Sequence, residues 1–306
     1  MIDQPVESPV QRCGLVAVVG APNAGKSTLV NRLVGAKVSI VSPRVQTTRT
    51  RVTGIAVAGA AQLVFIDTPG IFRSPKRRLE RAMVDAAWRG ATDADVVLLV
   101  VDAAKGMDDD ATRILEGLKG IHRRAVLTLN KIDLVKPPVL LQLTEQIVGS
   151  GIITDTFMIS AITGDGVADL KRFLVEHMPR GPWLYPDDQL SDMPERLLAA
   201  EITREQVFNQ LRQELPYAIS VETESWKEFD DGSARVDQVI YVQREGQKAI
   251  VLGKGGSQVK KIGAAARKEL ESILGRRVHL FLHVKHRDNW SEERSYYRDW
   301  GLEFEA

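Results

Sequence analysis

The segment Gly20-Ala21-Pro22-Asn23-Ala24-Gly25-Lys26-Ser27 constrains this chain more than any other, because it matches the pattern GxxxxGK[ST] at every fixed position. It follows the apolar run 15–19 and leads into a helical stretch through Thr28. Glycines let backbone N–H groups close around phosphate oxygens, Lys26 brings positive charge to the β and γ phosphates, and the Ser27 hydroxyl is placed to ligate Mg²⁺. A loop of this kind needs a strand before it and a helix after it. Short apolar runs at 63–66, 96–101, 125–129 and 156–159, separated by amphipathic segments, extend that requirement to a doubly wound, mainly parallel sheet covered on both faces. The first domain is therefore expected to be α/β, over residues 14–178, behind a flexible tail at 1–13.

The loop does not choose between nucleotides, but later strings do. Asn130-Lys131-Ile132-Asp133 follows the run 125–129. An ionised, buried Asp133 there accepts from both N1–H and the 2-amino group of guanine, whereas adenine would leave it unpaired. Lys131 can lay its stem over the base, and Ser160-Ala161 can add backbone contacts. Asp67-Thr68-Pro69-Gly70 closes the run 63–66, with Asp67 able to reach Mg²⁺ through water and the Gly70 N–H able to sense a γ-phosphate. Between these, Gln46-Thr47-Thr48-Arg49 can close over the metal, one threonine hydroxyl becoming a ligand. The expected metal set is Ser27, Thr48 and Asp67.

In these strings residues 14–178 resemble a translation-factor-type GTPase domain, its five loops matched at 20–27, 46–50, 67–70, 130–133 and 159–161. The resemblance implies hydrolysis of GTP to GDP and phosphate, with two switch segments at about 36–50 and 70–85 ordered by the γ-phosphate. Lys26, Asn23, Thr47, Thr48 and Gly70 are its expected catalytic contacts. One departure bears on mechanism. Ile71 stands where Ras-like proteins often carry the glutamine that orients water, so slow intrinsic hydrolysis is expected. Asn23 and the Thr47-Thr48-Arg49 string resemble the subset of GTPases in which K⁺ near the phosphates stimulates turnover.

Prolines 179, 182, 186 and 194 break every regular period, so 179–194 reads as a linker and 195–306 as a second domain. That domain reads α-β-β-α-α-β: a helix over about 195–213, β-like runs 218–229 and 234–243 joined by Asp230-Asp231-Gly232, the run 247–252, a helix over 257–274 and a strand over 278–284. Gly253-Lys254-Gly255-Gly256 sits between its two later helices, with Lys260 and Lys261 just beyond. Glycines there would let a nucleic-acid backbone approach closely, beside a groove floor of 250–252, Val259, Ile262 and Ala266. This resembles a type II KH domain, whose GXXG loop clamps backbone nucleotides while a groove reads unstacked bases. Tyr296, Tyr297 and Trp300 could stack on bases or pack the tail against the domain.

The net charge of +1 does not contradict RNA binding. Residues 248–298 hold 12 Lys and Arg against 5 Asp and Glu, while residues 181–247 hold 6 against 14, so a basic block is masked by an acidic one. Together the two domains resemble the Era family of bacterial GTPases over about 14–301. The resemblance implies binding to the 3′ end of 16S ribosomal RNA, a role in small (30S) subunit maturation and assembly, and peripheral association with the inner membrane. A monomer is expected. A P-loop metabolic enzyme such as a nucleotide kinase has no use for Asn130 and Asp133. An RNA-binding scaffold with a degenerate nucleotide site has no use for intact Lys26, Ser27 and Asp67. A single cysteine, Cys13, supports no internal disulfide, and the longest nearly apolar stretch, 54–66, is too short for a membrane helix, so a cytoplasmic protein is expected.

Overall fold

The computed structural model describes residues 10–42, 47–48, 52–71, 78–211, 215–288, 290–299 and 301–305. The expectations placed on Gln46, Arg49 and Trp300, and on the side chain of Tyr296, lie outside them. The chain forms two compact units: 1–39, 52–73 and 87–192 make the first, and 40–51, 74–86 and 193–306 the second.

The first unit is built on a six-stranded sheet of β1 (Arg12–Gly20), β2 (Val52–Ala58), β3 (Ala61–Asp67), β4 (Val96–Asp102), β5 (Ala125–Asn130) and β6 (Ile153–Ile159), in the order β2-β3-β1-β4-β5-β6. Every neighbouring pair is parallel except β2 with β3. Helices α1 (Lys26–Val34), α3 (Asp109–Gly120), α4 (Pro137–Val148) and α5 (Val167–His177) belong to this unit, as does the latter half of α2 (Arg78–Asp93). Residues 14–20, 63–66 and 97–101 are buried almost without interruption, as strands covered on both faces must be.

The 13-residue apolar stretch 54–66 is two antiparallel strands folded about Gly59-Ala60. Two readings are corrected here. Arg12 and Cys13, assigned to the tail, pair with Ala61 and Gln62 as the start of β1. Most of the stretch taken as a linker is bonded to the first unit. Gln62, fully buried, accepts from the N–H groups of Leu184 and Tyr185 at 2.9 and 3.0 Å and donates to the Tyr185 carbonyl at 2.8 Å, and Leu190 accepts from Ile55 N–H at 2.8 Å. Proline breaks helix and strand periods, but it leaves carbonyls free to accept from an edge strand.

The second unit holds α6 (Glu195–Gln210), β7 (Ile219–Glu228), β8 (Ala234–Val242), α7 (Glu245–Leu252), α8 (Ser257–Leu274), β9 (Val278–His286) and α9 (Arg294–Asp299). Its sheet order is β7-β8-β9, with β7 and β8 antiparallel and β8 and β9 parallel. A core of Val207, Ile219, Ile240, Val251 and Ile262 lies between sheet and helices. Leu79, Ala82 and Met83 of α2 join a separate cluster with Trp290, Tyr297 and Leu302. Tyr297 is completely buried there, so packing and not base stacking is its role.

Candidate functional site

Residues 20–26 run from the end of β1 into α1. A Cβ at Gly25 would lie 2.2 Å from Asn130 Nδ2, and its φ of +97° is in the left-handed region, so this position admits glycine for two separate reasons. Asn23 is also left-handed, at φ 63°. Lys26 is buried, and its Nζ donates to the carbonyls of Gly20 and Ala21, each at 3.0 Å. Burial pushes this ammonium down to about 8, against a smaller opposing pull from the Asp67 carboxylate. The lysine is thus held in the loop by two neutral acceptors, which phosphate oxygens can replace with charged ones.

The base-reading strings come together as a bonded cluster. Asn130 Nδ2 donates to Ala24 O at 2.8 Å, and its Oδ1 accepts from Ala161 N–H at 2.9 Å, so one buried side chain ties loop 20–26 to loop 160–161. Lys131, at φ 66°, donates through Nζ to Asn23 O at 2.8 Å and to Asp102 Oδ2 at 2.6 Å. Its left-handed turn leads into a single 3-10 turn, Ile132–Leu134. Asp133 on that turn is exposed, which corrects the expectation of a buried carboxylate. Discrimination therefore depends on desolvation by the bound base itself. Ser160 is fully buried, and its Oγ accepts from Thr163 N–H at 3.1 Å.

Asp67 closes β3 with no exposure, and Ser39 Oγ donates to its Oδ2 at 2.6 Å. The Thr68 hydroxyl donates to Val18 O at 2.8 Å. Pro69 is buried, and a Cβ on Gly70 would lie 3.0 Å from Pro22 Cα, so the two phosphate-facing loops touch. Ile71 is 2% exposed, with its N–H on Gly20 O at 3.4 Å. Ser27 and Thr28 are partly buried on the first turn of α1. Hydroxyls and a single carboxylate form a hard-oxygen donor set that suits Mg²⁺, which takes most of its remaining ligands from water and phosphate.

Thr47 has partners in the second unit. Thr47 Oγ1 lies 2.7 Å from Ser42 Oγ, and Arg204 Nη2 of α6 donates to Thr47 O. Glu205 Oε1 accepts from Val41 N–H at 2.7 Å, and Thr48 is buried. Arg204 is itself 1% exposed and paired with Glu201, with Nε to Oε1 at 2.6 Å.

In the second unit, α7 ends at Leu252 and the glycine loop turns into α8. A Cβ at Gly253 would lie 2.7 Å from Gln258 Cβ, whereas Gly255 and Gly256, at φ +61° and +76°, face open space. Lys254, Lys260 and Lys261 are all exposed. Of the expected groove floor, Val259 lines a cleft, whereas Val251, Ile262 and Ala266 are fully buried in the core. The cleft lies between α8 and β9, with Val259, Gly263, Leu280 and Leu282 along it and Lys260 and Arg267 at its sides. Phe281, 45% exposed with the Arg235 guanidinium 4.6 Å from its ring centre, completes the cleft.

Sequence reasoning missed Asp102, Arg32 and Phe281. Arg32 Nε donates to Ala161 O at 3.2 Å and its Nη2 to Ile162 O, bracing the base loop from the last turn of α1. Asp102 had a usable signal, an acidic residue at the carboxyl end of a parallel strand, where ligands bind in such sheets. Nothing in the sequence marks Arg32.

Residues 15–131 match the family described as 50S ribosome-binding GTPase, and residues 214–291 match the KH domain. The chain is 57% identical to the GTPase Era of Brucella melitensis over 97% of its own length and 96% of that protein. It is 58% identical to the GTPase Era of Rhizobium meliloti, over 96% and 93% respectively. Among solved structures, a single-residue variant of Aquifex aeolicus Era bound to GDP·AlF4⁻ matches with a TM-score of 0.90 and 38% identity, over 95% of this chain and 99% of that one. Era in complex with MgGDPNP and nucleotides 1506–1542 of 16S ribosomal RNA matches with a TM-score of 0.90 and 39% identity, over the same shares.

Proposed function

This chain belongs to the GTPase Era family and hydrolyses GTP, and from that premise we propose that it is a Mg²⁺-dependent switch that binds the 3′ end of 16S ribosomal RNA during maturation of the small subunit. The observation that carries the reading is the pairing, on one chain, of the bonded Ala24–Asn130–Ala161 cluster with a glycine loop whose Gly255 and Gly256 leave open space beside a basic cleft. A relative of the same family is bound to both a GTP analogue and that RNA segment.

Water adds to the γ-phosphorus as its bond to the β–γ bridging oxygen breaks, and the proton leaves with the phosphate product. Lys26 exchanges the Gly20 and Ala21 carbonyls for β and γ oxygens and neutralises charge there. The Gly70 N–H donates to the γ-phosphate. The Ser27 and Thr48 hydroxyls and the Asp67 carboxylate would hold Mg²⁺, which would supply neutralising charge for the phosphates. Ile71 is buried and apolar, so it orients no water, and turnover is slow without assistance. K⁺ at Asn23 is the proposed assistance. Exchanging K⁺ for Na⁺ should lower turnover in the unchanged protein and not in Asn23→Ala; equal rates in both salts for both proteins would remove the ion from the mechanism.

RNA is taken with its backbone against Gly255 and Gly256 and its unstacked bases in the α8–β9 cleft, one of them against Phe281. The work is assigned to the cytoplasm, with peripheral contact to the membrane's inner face. The deciding experiment is binding of a 16S 3′-end oligonucleotide with GDPNP and with GDP bound. Tighter binding in the GDPNP state is expected, and equal affinities would refute the coupling, since a ligand without differential affinity shifts no equilibrium. Gly255→Asp, which adds a carboxylate in open space, should weaken RNA at least about tenfold while GTP affinity holds; Lys26→Ala should do the reverse.

A further inference from the structure

We propose that Asp102 is a positioning residue for guanine recognition and acts through Lys131. It deepens the guanine-site reading above and rests on it. Asp102 ends β4, which lies between β1 and β5 in the sheet, and its side chain is 7% exposed. Its two oxygens are divided between two tasks. Oδ1 accepts from Ala104 N–H at 3.0 Å and holds the turn that follows the strand, while Oδ2 accepts from Lys131 Nζ at 2.6 Å. Its backbone carbonyl accepts from Lys105 and Gly106 N–H, so the turn fixes the carboxylate from both ends.

Lys131 needs such a partner. It adopts φ 66°, a conformation that is unfavourable for a residue with a Cβ and persists only where the surroundings over-determine it. Its Nζ donates to two acceptors, Asn23 O at 2.8 Å and Asp102 Oδ2 at 2.6 Å. That pull extends the four-carbon stem from β5 towards the P-loop, along the face where a base reaching Asp133 would lie. The carboxylate is the charged acceptor of the two, so it sets most of the attraction. Without it, the stem loses its anchor and the cation, with a side chain only 25% exposed, is left with one neutral carbonyl. Asp102 touches no part of the nucleotide in this assignment. It fixes the platform and, through the Lys131 turn, the direction of Asp133.

The test measures dissociation constants of the full chain for GTP, ITP and tripolyphosphate in Asp102→Asn, Lys131→Ala and the double variant. Asp102→Asn retains the Oδ1 acceptor for Ala104 and turns an amide towards the cation. GTP and ITP should each weaken about tenfold or more, and tripolyphosphate, which has no base, should stay within twofold. The double variant should bind GTP as Lys131→Ala does, because the aspartate acts through that lysine. A GTP constant within twofold of the unchanged protein, an equal loss for tripolyphosphate, or a double variant clearly weaker than Lys131→Ala would overturn the proposal. If Asp102→Asn yields no folded protein, the double variant, which strands no cation, carries the same comparison against Lys131→Ala. Failure of the unchanged protein to prefer GTP over ATP would instead sink the guanine-site reading itself.

Discussion

Asn130 and Thr47 are both polar residues expected around one nucleotide, yet they are held in different ways. Asn130 is 2% exposed and bonded on both sides within the first unit, to Ala24 and Ala161. Thr47 belongs to 40–51, a stretch of the second unit, where Arg204 and Glu205 of α6 hold it and its neighbour Val41. The base-reading half is pre-organised, so binding spends little on ordering it. The 40–51 stretch is held by bonds to α6 of its own unit.

The strongest way to break this contrast is Arg204→Ala. It leaves Glu201 as a buried carboxylate without its cation and should cost about 3–5 kcal/mol in denaturant unfolding of the second unit. A loss below 1 kcal/mol would mean that α6 does not anchor the 40–51 stretch. Next is Asn130→Ala, which removes the acceptor of a buried N–H and the donor to a buried carbonyl. About 2–4 kcal/mol is expected, read as GTP binding weakened about 30-fold or more, with RNA affinity unchanged; a similar fall in RNA affinity would show that the base-reading half is not a separate body.

A pH series sharpens the phosphate end. Lys26 stands at about 8 without nucleotide, and phosphate oxygens pull it back up. Below pH 8 it is charged with or without GTP, so affinity is flat there. Above pH 8 binding must take up a proton, and affinity should fall towards tenfold per pH unit until the liganded value is reached. Calorimetry in two buffers of different ionisation enthalpy at pH 9 should count close to one proton, and a count near zero would refute the assignment. The smallest effect is Glu205→Gln, which keeps an acceptor for Val41 N–H but removes its charge. About 1 kcal/mol of local stability should go, seen as roughly fivefold faster hydrogen exchange at Val41; unchanged exchange would show that the bond contributes nothing.

Most of the candidate nucleotide site could be read from the sequence because its residues are set by local chemistry. A strand end, a tight loop and a helix start place Gly25, Lys26 and Ser27 within a few residues of one another, and the guanine-reading string has a fixed spacing of its own. The same holds for the α-β-β-α-α-β order of the second unit, where hydrophobic period and the Asp230-Asp231-Gly232 turn are signals carried by neighbours in sequence. Within the expected groove floor, 259, 262 and 266 are equally apolar, and only packing decides that 259 lines the cleft while 262 and 266 enter the core.

The sequence by itself determined that this chain carries a GTP-binding α/β domain and a KH domain, since motif spacing and periodicity are properties of short segments. Tertiary structure alone decided what those segments lean on: Asp102 under Lys131, Arg32 behind Ala161, Gln62 holding the 184–185 backbone, and Arg204 against Thr47. These pairs are separated by 29, 129, 123 and 157 residues. No local signal spans such distances, because a buried polar side chain is placed by whichever donor or acceptor the fold brings to it.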